Sequence, residues 1–320
     1  MTNGSLGTRI PCRGVMIPLA VVGIAGAFVV VALLRRGLPP DDDWDTAVMS
    51  NGSGQIRRHL AWGRAVDQCV SYRRATALHY AAEAGDVECV LLLLRHDANP
   101  NARDIDGLSP LHWALLAPTL DPSAIGVLLA AGADPNAKRS GTLETPLHLL
   151  LRAVRGGHDE ELVAVVTDGL VRAGADINAA AAPDEYSGHG VRPLHVALHN
   201  GHILAALLLT RAGADVRAGC SGTTIGDEPR LPLHLAMGLR SRELVQALLD
   251  HGANPNEVDG LGQTPLHDAA WLDDVVSAKV LLDVGGDPTI LDRDGRTAMD
   301  CAERAGSIDL VRLLREVSGE

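Results

Sequence analysis

Aromatic side chains are scarce in this chain of 320 residues: they make up 2% of it, with a single phenylalanine, Phe28. A compact core of that size ordinarily uses large rings to fill its centre. Their lack points instead to thin units packed with alanine and leucine. Cysteines are few, scattered and odd in number: Cys12, Cys69, Cys89, Cys220 and Cys301. None form a C-x-x-C pair, so neither a zinc site nor a dithiol redox site is legible. Basic surface is also lacking. The net charge is −12, and the first forty residues carry Arg9, Arg13, Arg35 and Arg36 with no acid, which leaves −16 on the remainder. A domain that acidic does not hold phosphate backbones by counterion release, so nucleic acid is excluded as a partner. There is no G-x-S-x-G elbow, no Walker loop and no G-x-G-x-x-G after a strand. The sequence therefore offers no catalytic, cofactor-binding or metal-binding residues, and we read it as a non-enzyme.

One long apolar run is present. Residues 15–34 carry no charge, and twenty helical residues cover about 30 Å, the thickness of a bilayer core. A cleaved signal peptide would show a shorter apolar region with its small-residue site just beyond. Here Ala25-Gly26-Ala27 lies inside the run and is followed by Phe28-Val29-Val30-Val31, so a retained single-pass anchor is expected. Arginines flank the run two against two, which leaves orientation open. The basic tail at 1–14 resists translocation and tips the expectation slightly toward an extracytoplasmic repeat domain. Residues 35–42 contain Pro39-Pro40 and three aspartates and read as a stiff polar linker.

From residue 43 to 320 a tetrapeptide keeps returning: Thr76-Ala77-Leu78-His79, Ser109-Pro110-Leu111-His112, Thr145-Pro146-Leu147-His148, Arg192-Pro193-Leu194-His195, Leu231-Pro232-Leu233-His234 and Thr264-Pro265-Leu266-His267, then an altered Thr297-Ala298-Met299-Asp300. The steps between the last residues of successive copies are 33, 36, 47, 39, 33 and 33. Thr or Ser before Pro opens a helix, with the hydroxyl as cap and Pro in the first turn. Leucine-rich segments such as Leu91–Leu94 and Leu207–Leu209 supply core, and Gly132, Gly174, Gly213, Gly252 and Gly285 close the second helix of each unit. Units on this scale cannot bury an apolar face alone and must stack.

With Thr-Pro-Leu-His-x-Ala-Ala followed at fixed spacing by Gly-Ala-Asp-x-Asn, the chain resembles the ankyrin repeat family over about residues 43–320. The resemblance implies an all-α solenoid of helix–turn–helix repeats with short β-turn fingers. About eight repeats are expected, the first and last serving as caps. It also implies a protein-interaction role, with the partner seated on a concave face built from fingers and first helices. The surplus residues fall in an inter-helix loop near Arg155–Glu161 and in two longer fingers, near 180–190 and 219–230. Long loops on one face of a solenoid often serve binding, although surface drift explains them as simply.

Of 13 histidines, the six motif copies are implied by the resemblance to be structural. His195, His199 and His202, spaced i, i+4 and i+7, would share one face of a continuous helix as zinc ligands do. The turn expected at Gly201 argues against that, and a metal-dependent enzyme is the least favoured reading. The residue after each motif histidine, beginning Tyr80, Trp113 and Leu149, reads as packing between repeats. Better candidates for partner contact lie just past the alanine pair: Trp271 and Leu272 first, with His199, Asn200, Arg152 and Leu116 in the corresponding places. Tyr186, alone on a long finger, is the next candidate. The expected function is therefore a membrane-tethered module that binds a protein partner, unidentified by the sequence. The alternative is an immunity- or inhibitor-type protein that neutralises a basic enzyme or toxin by electrostatic complementarity.

Overall fold

A computed structural model describes residues 43–50, 52–153, 160–182, 190–219 and 231–318. The expected membrane helix at 15–34, the linker at 35–42, Tyr186 and most of the two long fingers lie outside these residues. Among the described residues no helix is long and apolar enough to cross a membrane.

The described chain forms sixteen helices in eight consecutive pairs. They are α1 (Trp44–Met49) and α2 (Ser53–Ala61), α3 (Ala77–Glu83) and α4 (Val87–Arg95), α5 (Pro110–Leu116) and α6 (Pro122–Ala130), and α7 (Pro146–Ala153) and α8 (Glu160–Arg172). There follow α9 (Pro193–His199) and α10 (Ile203–Arg211), α11 (Pro232–Met237) and α12 (Arg242–Asp250), α13 (Pro265–Leu272) and α14 (Val275–Asp283), and α15 (Ala298–Ala305) and α16 (Ile308–Ser318). First helices pack on first helices, second helices on second helices, and each first helix on its own second helix. The result is two stacked helical layers with one continuous core running along the stack. The fingers that join the pairs form no strands among the described residues, only an isolated bridge between Val70 and Ala75.

Local chemistry explains the repetition. Short helices of six to nine residues, which is what most of these are, are marginal alone and owe their stability to packing. Alanines at Ala81, Ala82, Ala269 and Ala270 are fully buried and let adjacent helices approach closely. The leucine runs do not all face inward: Leu93 is fully buried, whereas Leu91 is exposed. The residue that ends most second helices is left-handed, with φ of 88° to 95° at Gly132, Gly174, Gly213, Gly252 and Gly285. After α4 Asp97 takes that conformation instead, at φ 63°.

Neighbouring pairs are also tied by a side-chain staple. Asn101 Nδ2 donates to the Gly132 carbonyl at 2.9 Å while its Oδ1 accepts from the Asp134 amide at 2.7 Å. Asn136 repeats this with Gly174 and Asp176, Asn178 with Gly213 and Asp215, and Asn256 with Gly285 and Asp287. The other three joints differ, that between the fifth and sixth pairs among them. Arg217 stands there and donates its Nε to the Gly252 carbonyl at 2.7 Å, but a guanidinium has no acceptor to return.

Candidate functional site

The motif histidines are buried and shape the first-helix layer from within. His79 shows the common arrangement. Its Nδ1 accepts from the Thr76 amide at 3.1 Å and the Thr76 hydroxyl at 2.9 Å, so its Nε2 carries the proton and donates to the Leu108 carbonyl at 3.1 Å, in the next finger. The same geometry holds for His148 with Thr145 and Val191, and for His267 with Thr264 and Arg296. A ring placed this way is neutral. Burial pushes His79, His148 and His195 below the usual histidine range, and His112 down to about 4.

The cluster His195, His199 and His202 does not converge. His195 Nε2 bonds the Ala218 carbonyl at 2.6 Å, while His202 Nε2 bonds the Leu151 carbonyl at 3.1 Å, on the opposite neighbour. His199 ends α9 and is exposed. The turn at Gly201, with φ 78°, breaks the shared face. No group of three or more metal-ligating side chains is assembled among the described residues.

The exposed edge of the first-helix layer carries the candidate contact residues. Leu116, Arg152 and His199 come from the consecutive helices α5, α7 and α9, whereas Trp271 and Leu272 lie beyond α11 on α13. Leu116 is 43% exposed and Trp271 42%. Leu272 is half-buried, and its carbonyl accepts from Arg240 Nη2 at 2.6 Å. Two of the candidates are occupied within the stack. Asn200 donates its Nδ2 to the Leu151 carbonyl at 2.9 Å. Arg152 places Nη1 2.7 Å from Glu144 Oε1, a carboxylate with a side chain 1% exposed that also accepts from the Thr142 hydroxyl. Arg152 therefore neutralises a buried acid, a role its position in the repeat did not reveal.

Trp271 is mounted on a charged platform. The guanidinium carbon of Arg296 lies 5.9 Å from the ring centroid, within cation–π range. Arg296 is itself held by Asp292, with Nε and Nη2 each 2.8 Å from Oδ2, and by Asp294. Burial alone would raise the Asp292 carboxyl, but Arg296 and the amides of Asp294 and Arg296 outweigh it and hold the group at about 2. Beside this platform opens a polar hollow lined by Asp294, Arg296, Asp300, Glu303 and Arg304.

In the first half of the stack the corresponding surface is an aromatic seam. Trp113 is 5% exposed and packs with Ala75, Leu108, Leu149 and Tyr80. Its ring meets Tyr80 edge-on at 5.3 Å and His79 at 5.4 Å, and its Nε1 donates to Asp104 Oδ2 at 2.9 Å. Asp104 Oδ1 accepts from the amides of Asp106 and Leu108. Asp259 and Asp292 accept from two amides of their own fingers in the same way. These finger aspartates are not among the candidates that the sequence pattern yields. Their signal was present: an aspartate stands five residues before the helix cap at 104, 259 and 292.

A family model for ankyrin repeats matches the chain in three copies, at residues 46–139, 216–292 and 233–319. Ankyrin repeat and SOCS box protein 16 of Homo sapiens is 32% identical over 219 residues, which is 67% of this chain and 44% of that protein. The chain spans less than half the length of the curated relatives it matches. The crystal structure of the ankyrin repeat domain of Bcl-3, described as a unique member of the IkappaB family, is similar at a TM-score of 0.56 and 26% identity. That match covers 74% of this chain and 98% of that domain. The human ASB11 ankyrin repeat domain, at a TM-score of 0.56 and 23% identity, covers 75% of this chain and 97% of its own, and shares the fold.

Proposed function

Because the chain belongs to the ankyrin repeat family, we propose that it is a membrane-tethered protein-interaction module, with Trp271 at the centre of its partner site. The anchor is the apolar run at 15–34, and the repeats stand on the extracytoplasmic side. The observation that carries the site is the exposure of Trp271, 42%, on an otherwise well-packed helix. A large ring left in solvent contributes little to folding, while tryptophan is enriched among binding hot spots. Leu272 extends the surface beside it, and Leu116 and His199 hold the corresponding positions further along the stack, on α5 and α9. The pre-formed stack limits the entropy lost on binding. A second reading is favoured by the −16 carried beyond the first forty residues: the partner is a basic enzyme or toxin, which the acidic repeats steer in and block.

Crosslinking in native membranes, washed with alkali before solubilisation, tests both parts. We expect the chain to stay with the washed membranes and to capture one dominant partner. Trp271→Ala is expected to lose that partner while keeping the thermal unfolding profile. Release of the chain by the wash would remove the anchor, and unchanged capture by the variant would remove Trp271 from the site.

A further inference from the structure

One motif histidine breaks the pattern of the others. Ahead of His234 the capping position holds Leu231, which has no hydroxyl to offer its ring. His234 Nδ1 lies instead 2.7 Å from Asp268 Oδ2, on the next first helix, and its Nε2 lies 3.1 Å from the Glu257 carbonyl. Both partners are acceptors. A neutral imidazole has one N–H and satisfies only one of them; the imidazolium, with two, satisfies both. The ring is buried, with a side chain 3% exposed, so water is poorly placed to supply the missing proton contact. We propose that His234 is held as an imidazolium and acts as a proton-operated latch between the sixth and seventh helix pairs.

The surrounding charges agree with this. Burial opposes the charged form, but the hydrogen bond and charge of Asp268, the Glu257 carbonyl and the more distant Asp259 together lift His234 above the usual histidine range. Among the described residues, the charges that act most on the ring are both acidic, Asp268 and Asp259. On the α9 side His195 bonds Ala218 and Arg192 pairs with Asp215. On α13 His267 bonds Arg296, and on α12 Arg242, Glu243 and Asp250 are exposed, with Glu243 paired to Arg211. The five other motif histidines are held from the Nδ1 side by N–H donors, so they have no place for a second proton. The latch is thus a property of this one joint.

Its sign follows from linkage. A base with a folded pKa above the unfolded one contributes stability that is complete below the unfolded value, about 6.5 for histidine, and is lost as pH rises through the folded value. Loss of either ring proton leaves a lone pair facing an acceptor, the carboxylate of Asp268 or the Glu257 carbonyl. That carboxylate is 24% exposed and has solvent to turn to.

The test is nitrogen-15 NMR of the full 320-residue chain in detergent, labelled at histidine, with His234→Gln used to assign the signal. In the wild-type protein both ring nitrogens of His234 are expected to carry protons at pH 6.5. Its titration midpoint should lie above that of an ordinary histidine, while His79, His112, His148 and His195 titrate below it. Asp268→Asn should move the His234 midpoint down past the ordinary value. It should also lower the urea midpoint by an amount that shrinks as pH rises above 6.5. A singly protonated His234 ring at pH 6.5 in the wild type overturns the latch. A stability difference that does not change with pH overturns it as well. Neither measurement involves a partner or a membrane, so the outcome is independent of the proposed function.

Discussion

The two halves of the stack hold equivalent positions by opposite means. The residue after the motif histidine is Tyr80, Trp113 and Leu149 in the second, third and fourth pairs, and these make a dry seam between repeats. In the seventh pair the same position is Asp268, which makes an ion pair with His234. The Trp271–Arg296–Asp292 platform then continues the charged theme into the eighth pair. Apolar contact is indifferent to pH, whereas paired charges are sensitive to it. The backbone scaffold is the same, so the difference lies in the side chains set on it. At this position one half is joined by apolar contact and the other by paired charges.

The largest effect should come from breaking the aromatic seam. Trp113→Ala removes a buried ring together with its bond to Asp104 and should cost about 3–5 kcal/mol. Urea unfolding should lose its single transition as the early pairs uncouple from the rest. A loss under 1 kcal/mol would mean that the seam is surface decoration. Next is the platform. Asp292→Asn removes the charge that holds Arg296 but keeps the amide acceptor, and should cost about 1–3 kcal/mol. It should also loosen Arg296 from Trp271, read as a change in tryptophan fluorescence. Because the Asp292 carboxyl is held at about 2, its contribution is present above the unfolded carboxylate range and is lost as pH falls toward 2.

The smallest effect is the most diagnostic of the comparison. Hydrogen exchange followed through pH should separate the halves. The early pairs rest on neutral buried histidines, whose folded values are depressed, down to about 4 for His112. Their contribution is complete above about 6.5 and falls away as the medium is acidified. The His234 joint runs the other way and weakens above 6.5. Acidification should therefore raise exchange in α3–α7 first, and alkalinisation should raise it at α11–α13 first. A uniform response along the chain would erase the distinction between the halves.

Much of this could be read from the sequence because it repeats. The pattern of Thr-Pro-Leu-His and Gly-Ala-Asp located the helices, the helix-ending glycines and the structural histidines, each a local consequence of a few neighbouring residues. What escaped is pairwise and distant. Arg152 is a plausible surface residue until Glu144 is found buried beneath it. Leu231 is a visible departure in the cap, yet its consequence depends on Asp268, 37 positions further on. Trp271 was legible as exposed because its position in the repeat faces outward. Its mounting on Arg296 was not, since that contact is made by the following finger.

The asparagine staples have a mechanical consequence. A stack drawn out from its two ends is a series of joints sharing one load, and among joints tied in the same way the weakest tie gives first. At four joints an asparagine both donates to and accepts from the next pair, whereas Arg217 only donates. Among the five joints tied at this position, extension should therefore loosen the one between the fifth and sixth pairs first, leaving the aromatic seam closed on one side and Trp271 with its platform intact on the other.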